Sequence, residues 1–256
     1  MCSARGASES WAPYRVAAVG SAVWATDGDS TVKILDSSTL RIRASIATHG
    51  NARADDLAWD PVDNVVVVVN PGDQPPFLTF IKADTRTLAG RLSLSSATDV
   101  GQPIWDAERR MFFVPVSTAT GGAILGISPS SRKIVWTDHI PCAPTGFVLG
   151  WRQQAAIACD TSALIVGLDR CARILKRFPK LRGGDQVAYD SGLMRYYITV
   201  AVHTSAGAIA VIDAITHREI SRWKVGTLTH SLGVDPVTHR VFVPGSTGVG
   251  VYAPRG

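Results

Sequence analysis

The chain has 256 residues, of which 46% are hydrophobic and 18% charged, and carries a net charge of +5 at neutral pH. That is enough apolar material for one large core or two small ones, and it excludes a disordered or fibrous polymer. No apolar run reaches the roughly 18–20 residues of a membrane-spanning helix, and the first fifteen residues, MCSARGASESWAPYR, lack the apolar centre of a signal peptide.

Residues 1–14 read as an N-terminal extension or a closing-strand segment, and beyond them the chain repeats itself. The first unit begins near Arg15 and runs to the turn Asp36-Ser37-Ser38-Thr39-Leu40-Arg41. The second begins near Asp55 and holds Leu57-Ala58-Trp59-Asp60-Pro61 followed by the β-branched run Val65–Val69. The third begins near Pro103 with Ile104-Trp105-Asp106, and the fourth near Thr145 with the degenerate Phe147-Val148-Leu149-Gly150. The fifth begins near Asp185 with Val187-Ala188-Tyr189-Asp190, and the sixth near His230 with Leu232-Gly233-Val234-Asp235-Pro236. From Asp60 the successive spacings are 46, 44, 40 and 45 residues. A second marker follows the same period: Asp36, Asp84, Asp169 and Asp213, with Ser128-Pro129 filling the gap.

Each unit predicts four short strands separated by turn residues; in the second they span 56–59, 64–69, 77–82 and 88–94. No window carries a 3.6-residue apolar stripe over three turns. Four antiparallel strands at a fixed period of about 44 residues describe the blade of a β-propeller. The expected fold is therefore all-β, a single propeller domain over 1–256 with six recognisable four-stranded blades, the last incomplete at three strands. Two readings of that incomplete blade stand. Trp11–Arg15 donates its outer strand and closes six blades, or a seven-bladed parent is truncated at its N-terminus.

Segments such as Arg240-Val241-Phe242-Val243-Pro244, Val249-Gly250-Val251-Tyr252, Tyr197-Ile198-Thr199-Val200 and Ile209-Ala210-Val211-Ile212-Asp213 resemble YVTN-type propeller repeats. The chain is also similar to a group of bacterial exported propeller proteins in Gly28-Asp29-Ser30-Thr31-Val32-Lys33, Ala54-Asp55-Asp56-Leu57-Ala58 and Ala97-Thr98-Asp99. The resemblance covers about residues 16–253. It implies a periplasmic or secreted location and a binding role, and specifies architecture far more closely than activity.

If the strands of a blade are lettered a to d, Asp60, Asp106, Asp190 and Asp235 fall at a–b turns. Asp36, Asp84, Asp169 and Asp213 fall at c–d turns on the same rim. Asp at the head of a turn accepts backbone N–H bonds, so these eight read as structural, as do His217 and His239 beside them. The d–a loops of the other rim lead into the innermost strands. There lie Asp55-Asp56, Asp99 with Gln102, Thr145-Gly146, Asp185-Gln186 and His230-Ser231. Equivalent positions with unlike polar groups suit a ligand site. They are expected to converge at the channel mouth, with Asp55, Gln102 and Asp185 as ligands for a divalent cation such as calcium and His230 as a candidate base. Alternatively they hydrogen-bond neighbouring blades and line a wet channel. His49 and His203 carry no metal-ligand spacing. Asp27-Gly28-Asp29-Ser30 opens like a calcium loop but is explained by a tight hairpin turn.

Cys142 and Cys159 flank the Gly150-Trp151 turn, which places them opposite each other in a hairpin and predicts a disulfide and an oxidising compartment; two reduced thiols are the other reading. Cys2 and Cys171 have no evident partner. The densest basic run is Arg170, Arg173, Lys176, Arg177, Lys180 and Arg182, assigned to an outer strand where charge protects an open edge. With Phe178 its only aromatic, nucleic acid is not the expected partner. No hydrolase, zinc, phosphate-loop or dinucleotide motif occurs. Two functions follow: a non-catalytic envelope propeller binding a small molecule, peptide or protein partner at the polar rim, or a metal-dependent hydrolase or lyase similar to lactonase propellers.

Overall fold

The structure is a computed structural model describing residues 14–169, 172–201, 207–225, 230–245 and 248–254. Cys2, Arg170, Cys171, His203 and residues 11–13, named above, lie outside these ranges.

Sheet 1 comprises β1 (Val16–Val19), β2 (Ala22–Thr26), β3 (Thr31–Asp36) and β4 (Ile42–Ala47). Sheet 2 comprises β5 (Leu57–Asp60), β6 (Val65–Asn70), β7 (Phe77–Lys82) and β8 (Thr87–Ser93). A two-residue strand, β9 (Asp99–Val100), joins sheet 3, formed by β10 (Ile104–Asp106), β11 (Met111–Thr118), β12 (Gly121–Ser128) and β13 (Lys133–Ile140). Sheet 4 is β14 (Pro144–Leu149), β15 (Gln154–Cys159), β16 (Ala163–Gly167) and β17 (Arg173–Phe178). Sheet 5 is β18 (Val187–Asp190), β19 (Arg195–Val200), β20 (Ala208–Asp213) and β21 (Glu219–Lys224). Sheet 6 is three-stranded among the described residues: β22 (Gly233–Asp235), β23 (Arg240–Gly245) and β24 (Gly248–Tyr252). Strands neighbour one another in chain order, and the fold is an all-β six-blade β-propeller. The only helical turn among the described residues is a 3-10 turn at Trp151–Gln153.

The chain divides into two compact units, one running to Phe112 with Ile127–Ile134, the other holding Phe113–Gly126 and Val135–Gly256. In the first, Trp24, Val32, Ile34, Leu57, Val66 and Val68 make a core between sheets 1 and 2. In the second, sheet 5 is buried on both faces. Tyr196, Ile198 and Ala210 pack with Ala156 and Ile165 of sheet 4, while Tyr197, Ile209 and Val211 pack with Val241 and Val243 of sheet 6. A strand covered on both sides has no solvent face, which is why Val65–Val69 is apolar throughout instead of alternating.

The turn aspartates do what turn chemistry requires. Oδ1 of Asp60 accepts from the N–H of Val62 at 2.8 Å, that of Asp106 from Glu108 at 2.9 Å, and that of Asp190 from Gly192 at 2.9 Å. Asp36 and Asp213 likewise accept the N–H of Thr39 at 2.8 Å and of Thr216 at 2.6 Å. Asp84 departs from the expected pattern. In blade 2 the equivalent turn runs from Lys82, whose carbonyl accepts the N–H of Arg86 as Asp36 does that of Leu40, so Asp84 sits two residues late and bonds Thr85 N–H. His217 and His239 are packed into the structure, bonded to Gln154 at 2.8 Å and to Asp190 at 3.0 Å. Tyr14 and Arg15 exchange backbone bonds with Thr26 beside β2, so these two residues extend sheet 1 and do not supply an outer strand of the last blade.

Cys142 and Cys159 are joined, with Cα atoms 6.0 Å apart, although they are not opposite each other. Cys159 pairs with Pro144, because the β14–β15 turn is centred beyond Trp151 and a bulge lies between Pro144 and Gly146. The pairing is therefore diagonal. Blade 4 replaces the Asp turn with Gly150, where a Cβ would lie 2.2 Å from Tyr196 Oη and 2.4 Å from its ring. Tyr196 is fully buried, so Gly150→Ala is expected to cost about 1–3 kcal/mol in urea denaturation through overpacking. Gly233→Ala, with open space around it, should shift stability by no more than about 0.5 kcal/mol.

The turn carboxylates also set the acid response. Backbone N–H bonds from Thr39 and Thr216 hold Asp36 and Asp213 below the ordinary 3.8, and the Thr238 hydroxyl does the same for Asp235. The unfolded chain then takes up these protons at higher pH than the folded one. Their contribution is complete above the unfolded value and is lost as pH falls through the lower folded values. Urea midpoints should be flat at neutral pH and decline below about pH 4, with a shallower decline in the Asp36→Asn, Asp213→Asn double variant.

Candidate functional site

In the first unit the predicted rim carboxylates already face cations. Asp55 accepts a 2.9 Å bond from Arg53 Nε, and Arg53 Nη2 lies 2.8 Å from the same carboxylate. Asp56 lies 3.7 Å from Arg15 Nε. Burial pulls the Arg53 guanidinium down, but Asp55, the Tyr14 ring and Asp99 outweigh it and raise its pKa. Arg53 also stacks 5.1 Å over Tyr14. A divalent ion at Asp55 would have to displace a guanidinium. Asp99 is exposed on β9 and caps its own strand through Val100 N–H at 2.8 Å. Gln102 is buried, and its Oε1 has no protein donor among the described residues.

The second unit holds a different arrangement. His230 Nδ1 lies 2.9 Å from Asp185 Oδ2, joining loops 45 residues apart, with side chains 41% and 36% exposed. The backbone beneath is tightly held. The N–H groups of Asp185 and Gln186 both donate to Thr199 Oγ1 at 3.0 Å, and that hydroxyl donates to Gln186 O at 3.1 Å. Thr145 Oγ1 lies 2.9 Å from Gly184 O, tying the lead-in loop of blade 4 to that of blade 5. Gly146 is required here, since a Cβ would lie 2.1 Å from Asp185 O. Gly184 is equally confined, 2.7 Å from Thr199 O by the same construction. Of the rim residues in this unit, Asp185 and His230 thus meet, and Gln186 lies buried beneath them.

Among the described residues no three His, Cys, Asp or Glu side chains cluster in a way that would hold a metal ion. At Asp27-Gly28-Asp29 the cation is the protein's own: Lys33 Nζ lies 2.6 Å from Asp29 and 3.7 Å from Asp27. His49 is exposed.

Two features escaped the sequence. A buried polar chain runs from Ser30 Oγ to Thr48 Oγ1 at 2.8 Å, from Asn70 Nδ2 to Thr48 at 2.8 Å, and from Thr79 Oγ1 to Asn70 Oδ1 at 3.1 Å. Beside it Asp73 accepts the N–H of Asn51 at 2.8 Å, latching the loop between blades 1 and 2. Both Asn70 and Asp73 come from the Asn70-Pro71-Gly72-Asp73 segment at the end of β6. The other feature is a cavity of about 650 Å³ lined by Arg195, Ile220, Ser221, Trp223, Tyr252 and Pro254, where the Trp223 and Tyr252 rings stack at 6.0 Å.

No protein-family model matches this sequence, and no curated protein matches it. Among solved structures, the fold is similar to a hydrazine synthase chain of Kuenenia stuttgartiensis, with TM-score 0.77 and 11% identity over 95% of this chain and 76% of that one. It is equally similar to a chain in a mitotic checkpoint complex, with TM-score 0.77 and 11% identity over 99% of this chain and 77% of that one. At such identities the likeness shows the propeller fold alone.

Thr199 is the anchor of the Asp185–His230 pair. Thr199→Val removes the hydroxyl that accepts from the Asp185 and Gln186 N–H groups and is expected to cost about 1–3 kcal/mol. Thr199→Ser should retain most of that stability, both read from urea denaturation.

Proposed function

We propose that this protein is a non-catalytic binding module of the bacterial envelope, taking a small molecule, peptide or protein segment at the rim formed by Thr145, Asp185, Gln186 and His230. The observation that carries this reading is the 2.9 Å Asp185–His230 contact, partly exposed, with the Asp185 backbone bonded to Thr199 beneath it. It places a carboxylate and an imidazole side by side at the surface, which suits a polar ligand with complementary groups. The propeller fold is consistent with a binding role. An exported, oxidising location is supported by the Cys142–Cys159 link and by the repeat resemblance.

A second reading has one observation in its favour. A carboxylate bonded to imidazole Nδ1 orients the ring for proton transfer, as a general base requires. In that reading His230 is the base of a hydrolase or lyase, with Asp55, Gln102 and Asp185 offered to a cation such as calcium. The Arg53–Asp55 ion pair weighs against that ligand set.

The two readings separate in one experiment. The purified full chain is screened by thermal shift against sugars, carboxylic acids and short peptides, with and without calcium, while lactone hydrolysis is assayed in parallel. At least one class should raise the melting temperature, and Asp185→Asn and His230→Ala should melt like the parent yet lose that shift. Calcium-dependent turnover abolished by His230→Ala would establish the enzyme instead. Unaltered binding by both variants would place the site elsewhere.

A further inference from the structure

The outer strand of each propeller sheet has one open edge, and charge there discourages unwanted pairing. Among the described residues the other outer strands achieve this sparingly. On β4, Arg43 is ion-paired with Asp36. On β8, Arg91 lies over the Phe77 ring. On β13, Lys133 shares the strand with Asp138, and on β21, Arg222 is paired with Glu219 at 2.7 Å. In β17 the pattern changes. Arg173, Lys176 and Arg177 are all exposed, Lys180 and Arg182 follow within five residues of the strand, and residues 172–184 contain no carboxylate. None of the five has an acidic side chain within ion-pair distance among the described residues; Arg182 Nε reaches only the carbonyl of Pro179, at 3.0 Å. The nearby Asp138 carboxylate is bonded to the Ala172 N–H. Five uncompensated cations equal the net charge of the whole chain, +5.

Edge protection needs one charge, not five, so the excess calls for another account. Among the described residues the strand pairs only with β16, and its second edge of N–H and C=O groups has no strand partner. Register places Arg173 and Lys176 opposite Gly167 and Ile165 on one face, and Arg177 opposite Leu164 on the other. Cations therefore flank the open edge from both faces. A partner strand laid along it would meet them with consecutive side chains, because neighbouring residues of a strand point to opposite faces. A lipid headgroup or a phosphodiester can neutralise the charges and accept from an N–H group, but it does not present the alternating donors and acceptors that pair with a strand edge. We propose that β17 is a docking edge for an extended acidic peptide segment, which adds as a fifth strand to sheet 4 and places its carboxylates against Arg173, Lys176 and Arg177. Lys180 and Arg182 extend the attraction past the strand end. This surface lies at the opposite edge of sheet 4 from β14, and it does not depend on the Asp185–His230 rim.

The test uses the full chain and a capped, fluorescent octaglutamate peptide, followed by anisotropy. Saturable binding is expected, none to octalysine, with about a tenfold loss of affinity on raising salt from roughly 0.05 to 0.5 M as charges are screened. The triple variant Arg173→Gln, Lys176→Gln, Arg177→Gln should keep its circular dichroism and bind at least about tenfold more weakly, whereas Arg41→Gln, Arg43→Gln on the outer edge of sheet 1 should bind as the parent does. A backbone N-methylated octaglutamate, equal in charge but without N–H donors, should bind at least about fivefold more weakly. Equal binding of the methylated peptide, or no effect of the triple variant, overturns the proposal. So does binding of phosphatidylserine vesicles or single-stranded RNA without binding of octaglutamate.

Discussion

Everything in this molecule follows from sheets that are covered on both faces. Sheet 5 shows the consequence most directly: adjacent residues Tyr196 and Tyr197 enter different cores, one shared with sheet 4 and the other with sheet 6. Strand interiors are then apolar apart from a few buried hydroxyls and amides, such as Asn70, Thr79 and Thr199. Charged residues are driven into the loops and onto the outermost strands. The loops gain their order from a few buried hydroxyls and carboxylates, such as Thr199 under Asp185 and Asp73 under the segment that joins blades 1 and 2.

The rim polar groups are not chemically equal. Asp55 and Asp56 are satisfied by arginines from their own neighbourhood, and such pairs do the quiet work of holding lead-in loops in place. Asp185 meets an imidazole, whose two nitrogens can act as donor or acceptor. The outer strand of blade 4 is different again, with like charges gathered and no carboxylate within ion-pair distance of them among the described residues. Ion-paired carboxylates read as scaffold, a carboxylate–imidazole contact reads as recognition or proton transfer, and an unanswered cationic edge reads as a demand for a partner.

The repeat was legible in the sequence because burial on both faces writes itself as short apolar runs at a constant period. Strand limits in blade 2 lie within a residue or two of those expected, since Val65–Val69 and Phe77–Lys82 admit no other element. Pairing was less legible. The bulge after Pro144 and the left-handed residues Arg152 and Gln153 moved the β14–β15 register by two, so the cysteines join diagonally. Hydrophobic period constrains which face a residue occupies but leaves a shift of two invisible. Asp84 was misplaced for the same reason, because an Asp near the turn looked like the Asp that opens it. At the site, the meeting of Asp185 with His230 followed from equivalent positions in successive blades, whereas Arg53 beside Asp55 did not. Composition reveals a carboxylate, and only coordinates reveal that it is already answered.

The glycines beneath the rim have a mechanical consequence. At Gly146 the backbone of one blade touches the carbonyl of Asp185 in the next with no side chain between them, and Gly184 is pressed against Thr199 from the other side. Contact of that kind transmits displacement without slack. The loop bearing the carboxylate cannot swing outward alone to wrap an incoming molecule; it moves with its neighbour or stays where it is. For the binding role proposed above, a ligand would have to match the shape already offered. Discrimination at this rim would then come from refusal of the wrong outline instead of closure around the right one, with no opening step needed for release.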